Sequence, residues 1–275
     1  MKTQTAFSAI LVILVCASLH QPQTLFAQSI WVDHGPGSSF SVEFLKPDFD
    51  GNANADFFTS ALFLTGRFRL SEKVMLVAEV PVARRGFDED FGFLESQTAI
   101  GNVYIGLETR GTPAFIEFGL RPPIMSDSKF NAASAGFSAD VDRFEAFNPE
   151  TFIAALRANY RQKMASDVVI RVRGGPVLFV YTNDAGDKTD LLIDYSIQAG
   201  YEGTAVHLMS GLTGRFFASS DDGDFGERSV HQLGVSANLI LGKTRPGIHL
   251  RLPLDKDLRE GIDFVFGLNF AVLLN

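Results

Sequence analysis

Beyond its first 27 residues the chain has no cysteine; the single one, Cys16, lies in the N-terminal stretch. That excludes a disulfide framework and any thiolate-held metal or cluster in the rest of the chain. No later segment approaches 18 uninterrupted apolar residues, so no transmembrane helix is expected. Helical signs, long Ala/Leu/Glu/Lys runs or a 3.6-residue apolar period, are scarce after residue 30. No Cys/His cluster, phosphate-cradling glycine loop or basic stripe appears, so neither a cofactor nor a nucleic-acid partner is expected.

What is present begins with an export signal. Lys2 gives a positive start, "AILVILVCA" (Ala9 to Ala17) is a short apolar stretch, and "TLFAQ" offers Ala27 as a cleavage point. That is the pattern of a secretory signal, too short to span a bilayer as an ordinary helix. Val15 before Cys16 argues against lipidation, which takes a small residue there. The expected division is a cleaved signal at 1–27 and one β-barrel domain at 28–275.

The mature chain reads as twelve runs with period-2 alternation, roughly 38–45, 58–70, 74–82, 100–110, 113–121, 151–162, 168–181, 191–202, 205–218, 229–241, 246–254 and 262–273. Most are about as long as a tilted strand that crosses a bilayer. The connections alternate short and long. Ser71–Lys73, Gly111–Thr112, Lys163–Asp167, Gly203–Thr204 and Gly242–Arg245 are tight; 46–57, 83–99, 122–150, 182–190, 219–228 and 255–261 are long. An up-and-down antiparallel barrel gives that pattern, with tight turns at one rim, loops at the other and both termini at the tight rim. A Greek-key sandwich gives no reason for it. The fold class expected is therefore all-β, a transmembrane barrel of about twelve strands in the bacterial outer membrane. Its partners would be outer-membrane lipids, lipopolysaccharide and the barrel assembly machinery.

Charge supports the same layout. The long connections, taken as 46–56, 84–95, 127–150, 184–190, 221–228 and 255–260, hold 22 acids against 9 basic residues, a net of −13. The rest of the mature chain holds 10 acids against 14 basic residues, a net of +4. Acidity is thus gathered at one rim. Within the longest loop, "ADVDRFEAF" (Ala139 to Phe147) fits a short helix or lid as well as an irregular loop. Gly174-Gly175-Pro176 interrupts its strand and suggests a bulge.

The two faces of the strands differ sharply. One carries Leu62, Leu64, Phe68, Ile105, Leu107, Ile116, Phe118, Leu233, Val235, Phe266, Leu268 and Phe270, fit for lipid. The other carries Arg67, Arg69, Glu79, Tyr104, Glu108, Arg110, Glu117, Arg121, Arg157, Arg161, Arg171, Arg173, Asp194, Glu202, Arg215, Arg251 and Asp263. Charges in a dry core cost several kcal/mol even when paired, so this face is expected to line a polar, hydrated lumen with ion pairs between strands. Arginine is in excess, and Arg67/Arg69, Arg110, Arg161 and Arg171/Arg173 fall toward the tight-turn rim. Such a ring draws anionic solutes or simply ties the wall together. Reversing the faces gives a soluble lipocalin-like carrier, but twelve strands exceed the usual eight.

Spacing bears on both catalysis and metal binding. Two residues of one strand share a face only at even separation. His207 and Ser210 differ by three and His231 and Ser236 by five, so the His-x-Ser of a barrel lipid hydrolase is missing. His207 and His249 fall on the lumenal face, where a cross-strand partner stays open. "DFDGNANAD" places Asp48, Asp50, Asn52, Asn54 and Asp56 at alternating positions, as oxygen ligands for calcium are supplied, but Gly51 is not at the sixth position of the loop. A solvated acidic loop is the simpler reading.

"AEVPVARRG" (Ala78 to Gly86) followed by "IGNVYIGLETR" (Ile100 to Arg110) resembles outer-membrane barrels of the phenol-degradation meta-pathway type. There an acid-x-Pro strand precedes a Gly-(Asp/Asn)-x-Tyr strand, with Asn102 standing where Asp is frequent. The resemblance implies a predicted channel for small, often aromatic or hydrophobic compounds and no catalytic residues. Many barrels end in an aromatic residue, whereas this sequence ends "FAVLLN" with Phe270 as nearest aromatic. The function expected is passive uptake of a small-molecule solute, with the second and third long loops constricting the mouth. A barrel lipid hydrolase, a closed structural or adhesion barrel, and the soluble carrier remain as alternatives.

Overall fold

The computed structural model describes residues 29–49, 57–87, 96–182, 189–220 and 223–274. The expected signal segment, most of the 46–57 loop and the middle of the second long loop lie outside these residues. Twelve strands follow in chain order: β1 Ser39–Phe49, β2 Ser60–Arg69, β3 Val74–Arg85, β4 in two segments (Gln97–Ile100 and Tyr104–Thr109), β5 Ala114–Arg121, β6 Thr151–Lys163, β7 Val168–Tyr181, β8 Thr189–Glu202, β9 Val206–Phe217, β10 Ser229–Leu239, β11 Thr244–Pro253 and β12 Ile262–Leu273. Each pairs antiparallel with its sequence neighbours, both segments of β4 pair with β3, and β12 pairs with β1 from Ser39↔Leu273 through Asp48↔Phe264. The sheet closes on itself and no strand edge is left open, as an outer-membrane barrel requires. All twelve strands read from the alternation are present, and tight turns share one rim.

Alternation sets the two surfaces. Phe44, Leu107, Phe118, Ile197, Val235 and Phe270 all stand exposed on the outside, while their chain neighbours point in and are buried. A charge on this belt near the bilayer midplane costs about 2–4 kcal/mol. Ile197, at the middle of β8 and 56% exposed, is the place to see it. Ile197→Lys should lower unfolding stability in lipid vesicles by about that amount in a urea titration; an unchanged midpoint would mean that this face does not meet lipid.

Gly174-Gly175-Pro176 does not form a bulge. The β6–β7 register is the same on both sides, Ala155↔Val177 and Ala158↔Gly174, and β7–β8 pairing runs through it without a shift. Pairing simply lapses at the proline, which has no N–H to give. A Cβ on Gly175 would sit 2.0 Å from the Leu156 carbonyl oxygen, so the glycine serves close strand approach.

The connection 122–150 turns into the barrel. Ser126 caps a short 3₁₀ turn, Asp127–Lys129, by accepting from the Ser128 N–H. Helix α1, Phe130–Ala139, follows and buries its small side chains Ala132, Ala133, Ala135, Gly136 and Ala139. Asp140 ends it, and its carboxylate accepts from Asp142 N–H to start a second 3₁₀ run, Val141–Phe147, whose interior includes a kink at Arg143. The small face of α1 packs on inward Leu45, Ala61, Phe63 and Ala83 of β1–β3. Phe144 packs on Ile153, Val177, Phe179 and Leu192 across β6–β8. These inward apolar side chains lie in the part of the barrel nearest the long loops. They are why the loop enters the lumen instead of lying over its mouth.

Candidate functional site

The "IGNVYIGLE" stretch positions the inserted loop. The break between the two β4 segments puts Gly101 so close to the Ala146 carbonyl that a Cβ would lie 2.2 Å from its oxygen. Asn102 is fully buried there. Its Oδ1 accepts from the N–H groups of Ile124 and Met125, both at 2.9 Å, and its Nδ2 donates to the carbonyls of Asn148 at 2.7 Å and Glu145 at 3.4 Å. One side chain thus ties the entry and the exit of the loop to the wall. Two residues on, the Tyr104 ring crosses Gly119 and its hydroxyl donates to Glu117 at 2.6 Å.

A second insertion comes from the opposite rim. Residues 29–38, which precede β1, run inside the barrel with Trp31, Val32, Asp33 and His34 buried. Ser29 donates to Glu43 (2.9 Å), Asp33 pairs with His207 (2.8 Å) and lies 3.6 Å from Arg245, and His34 shares a hydrogen bond with Ser41 (3.1 Å). The two insertions meet where Trp31 Nε1 donates to Asp142 at 3.0 Å. Trp31 is the only tryptophan in the sequence.

The predicted lumenal charges turn inward and are paired in several clusters. Arg67 pairs with Glu108 (2.8 Å), Arg121 with Glu79 (2.7 Å), Arg171 with Glu202 (2.5 Å) and Arg173 with Glu117 (3.1 Å). Arg161 also binds Glu202. Arg157 joins Glu117 (3.0 Å), Glu145 of the loop (3.2 Å) and Asp194. Arg251 joins Glu43 (2.9 Å) and Asp140 (2.7 Å), and Arg215 reaches Glu145 (2.8 Å). Arg143 of the loop sits among Glu43, Glu79 and Asp140, with its guanidinium 3.6 Å from the centre of the Phe63 ring. Three assignments differ. Arg69 is exposed and Arg110 lies at the turn rim bonded to the Glu72 carbonyl, each at a strand end where the lumen has already opened, whereas Asp263 is exposed because the β1–β12 register passes from Asp48↔Phe264 to Phe49↔Ile262 and skips it, leaving buried Ile262 on the inward side. Alternation reads the face of a residue but not its height.

The hydrated interior expected from these charges is not what is found. Glu79 and Glu108 are fully buried and Glu117 is 1% exposed. Two cavities near these clusters, about 40 and about 30 Å³, have room for a few waters at most. Mutual pairing offsets the desolvation that the sequence argument took to require water. Breaking one pair is therefore costly: Arg67→Met should destabilise by about 3–5 kcal/mol by stranding Glu108, while Arg67→Met with Glu108→Leu should recover most of it. Urea unfolding of the cycle checks this; equal losses in the single and double variants would contradict it.

The bookkeeping of charge is informative. Nine wall arginines (Arg67, Arg121, Arg157, Arg161, Arg171, Arg173, Arg215, Arg245, Arg251) meet six wall carboxylates (Glu43, Glu79, Glu108, Glu117, Asp194, Glu202), an excess of three positive charges in the described clusters. The loop supplies Asp140, Asp142 and Glu145 against Arg143, and the N-terminal segment supplies Asp33. Those three net negative charges bring the total to zero. Burial pushes Glu145 up, but Arg215, Arg157 and Arg121 outweigh it and its pKa falls to about 2. Burial likewise opposes the charged form of Asp33, and His207 chiefly overcomes it, again to about 2. Burial, with Arg67 nearby, lowers His34 to about 3, so it is neutral.

The histidines are placed as the spacing implied: His207 and His249 face inward, the latter against Glu43 (3.4 Å) and Arg251 (3.3 Å). His231 faces outward at the long-loop rim, between the Tyr195 hydroxyl (2.7 Å) and Asp255 (3.2 Å). Of the calcium candidates, Asp48 is exposed on β1, and Asp50, Asn52, Asn54 and Asp56 lie outside the described residues. Among the described residues no group of three His, Cys, Asp or Glu is arranged to hold a metal. Sequence reasoning missed Glu43, Arg245, Asp33 and the loop residues Asp140, Arg143 and Glu145. Glu43 was within reach, since alternation over Ser39, Ser41 and Glu43 already turns it inward.

No family model and no curated protein matches the chain. Solved structures match it in fold. The COG4313 outer membrane channel from Pseudomonas putida F1 aligns with a TM-score of 0.60 at 13% identity, covering 90% of this chain and 99% of that one. LpxR from Salmonella typhimurium aligns at 0.52 with 10% identity, and the NanC porin at 0.51 with 8%, each covering 86% of this chain and all of the other. At such identities the likeness is one of fold. The chain is a closed twelve-stranded β-barrel of the outer-membrane type.

Proposed function

We propose that this protein is an outer-membrane channel for passive uptake of small solutes, delivered by an export signal at residues 1–27 and held closed in the conformation described. The observation that carries this reading is the double insertion. A barrel that served only as a wall or an adhesion platform gains nothing from a wall with three excess positive charges that two separate chain segments, one from each rim, neutralise. Both insertions join the wall mainly through side chains and neither adds a strand to the sheet, so displacing them leaves the barrel intact. The lumenal arginines and carboxylates would then set selectivity, and the acidic long loops would face the outside. The likeness to a channel and a porin supports this, as does the meta-pathway resemblance at residues 80–120, which also favours aromatic or hydrophobic solutes.

The test is flux. In proteoliposomes the full-length mature chain should admit small aromatic acids and neutral sugars at a low rate, and its fractionation with the outer membrane should be complete. Heat-modifiable migration with no flux under any condition would favour the closed structural barrel. Lipid hydrolysis by the pure protein, lost in His207→Ala or His249→Ala, would favour the hydrolase.

A further inference from the structure

The loop carboxylates are held as a bound ligand would be. Glu145 lies between Arg157 on β6 and Arg215 on β9, and Asp140 lies against Arg251 on β11. These are strand residues, fixed by the sheet, whereas the acids belong to a segment that enters the lumen from outside. The fit at Arg215 is incomplete. Its Nη1 is 2.8 Å from Glu145 Oε2, yet the pair is not aligned as a hydrogen bond, and its Nε has no acceptor among the described residues. Arg215 is 3% exposed, so both donors are held away from bulk water. The 40 Å³ cavity is bordered by Arg157, Arg173, Arg215 and Arg251, by Trp31, and by Asp142 and Asp194. A planar carboxylate that displaces Glu145 meets the guanidinium fork that Glu145 uses only in part.

We infer that Arg157 and Arg215 form a binding site for the carboxylate of a small organic acid, and that Glu145 is its built-in competitor. The solute replaces Glu145 on the arginine pair, the loop loses its hold on the wall, and the positive excess of the wall is exposed to an anion. The inference deepens the channel reading and rests on it for how solute reaches the site, but its test does not use flux. A carboxylate is preferred to phosphate because the present occupant is a single planar carboxylate on two guanidinium groups.

Trp31 borders the cavity and is the only tryptophan, so its emission reports occupancy in the refolded full-length mature chain in detergent. Benzoate should give a saturable change; benzyl alcohol, of the same size without the charge, should give none. Glu145→Gln should tighten benzoate about tenfold by weakening the competitor, and Arg215→Gln should loosen it about tenfold or more. A structural role alone would move both variants the same way. A change with benzyl alcohol equal to that with benzoate, a response to inorganic phosphate but not benzoate, or the two variants shifting in one direction would each overturn the inference. Benzoate binding without any solute flux would retain the site and refute the channel. Flux that neither benzoate nor these variants affect, with no fluorescence response, would retain the channel and refute the site.

Discussion

Asn102→Ala should turn the closed barrel into a leaky one, raising small-solute flux at least tenfold in proteoliposomes. Its amide makes four hydrogen bonds to backbone groups at both roots of the inserted loop. Each is worth about 0.5–1.5 kcal/mol net, and a buried partner left unpaired costs more. The loss to the closed state is then about 3–4 kcal/mol, or ~100-fold or more in the ratio of closed to open at 1.4 kcal/mol per decade. The strands lose nothing, because β4 pairs with β3 through residues 97–100 and 104–109 and not through the Asn102 amide, and the Asn102 carbonyl still accepts from Arg121 at 2.8 Å. Heat-modifiable migration should therefore be retained, and Trp31, 1% exposed in the closed form, should shift its emission toward the red. A folded Asn102→Ala barrel whose flux and emission match the parent would remove Asn102 from any part in holding the loop.

The wall was readable in the sequence and its filling was not, for a physical reason. Alternation at period 2 is a local property of each strand, so it placed Leu107 outside and Glu108 inside without knowledge of the rest. Turn lengths are local too, and they set the two rims. What stands opposite Arg215 depends on a loop more than sixty residues away, and no periodicity carries that. Two signals were nevertheless present. Leu45, Phe63, Ala83, Val177 and Phe179 are apolar on the inward face, which a water-filled lumen does not call for. The loop 122–150 is long for an unstructured connection and carries Ala132, Ala133, Ala135, Gly136 and Ala139 at helical spacing, a face small enough to pack tightly. Matching the apolar patch of the wall to the small face of the loop would have placed the plug.

The same contrast applies to the charges, which lie on the face that alternation predicts but in a dry interior. Desolvation forbids a lone buried charge, but it does not require water if every charge meets its opposite. The wall alone does not meet that condition, with nine arginines to six carboxylates. The insertions do, and the charges are balanced only when both are in place. Closure and electrostatic neutrality are thus one condition in this molecule.

Acid should open the barrel, with the change setting in as pH falls below 6.5 and steepening where the carboxylates join it. In the closed state the His34 imidazole faces Ser41, Arg67, Asp33, Arg143 and Arg171, and its pKa is about 3 instead of 6.5. When the N-terminal segment leaves the lumen, His34 regains its ordinary value. The open state then binds the proton more readily, so falling pH draws the population toward it. The contribution of His34 to closure is complete above pH 6.5 and is lost as pH falls toward 3. Each pKa unit is ~1.4 kcal/mol, so two units of pH below 6.5 amount to ~100-fold in the closed-to-open ratio. Glu145 and Asp33, both at about 2 when closed, add in the same direction, but only below their ordinary values near 4 to 4.5. Single-channel recording from pH 7.5 to 4.5 should show open probability rising by a factor of ten or more, with little change above pH 7. His34→Asn keeps a partner for Ser41 and removes the titration, so it should flatten the rise above pH 4.5 and leave the steeper part below it. A parent protein whose open probability does not change between pH 7 and 4.5 would show that the N-terminal segment stays in the lumen when the channel conducts.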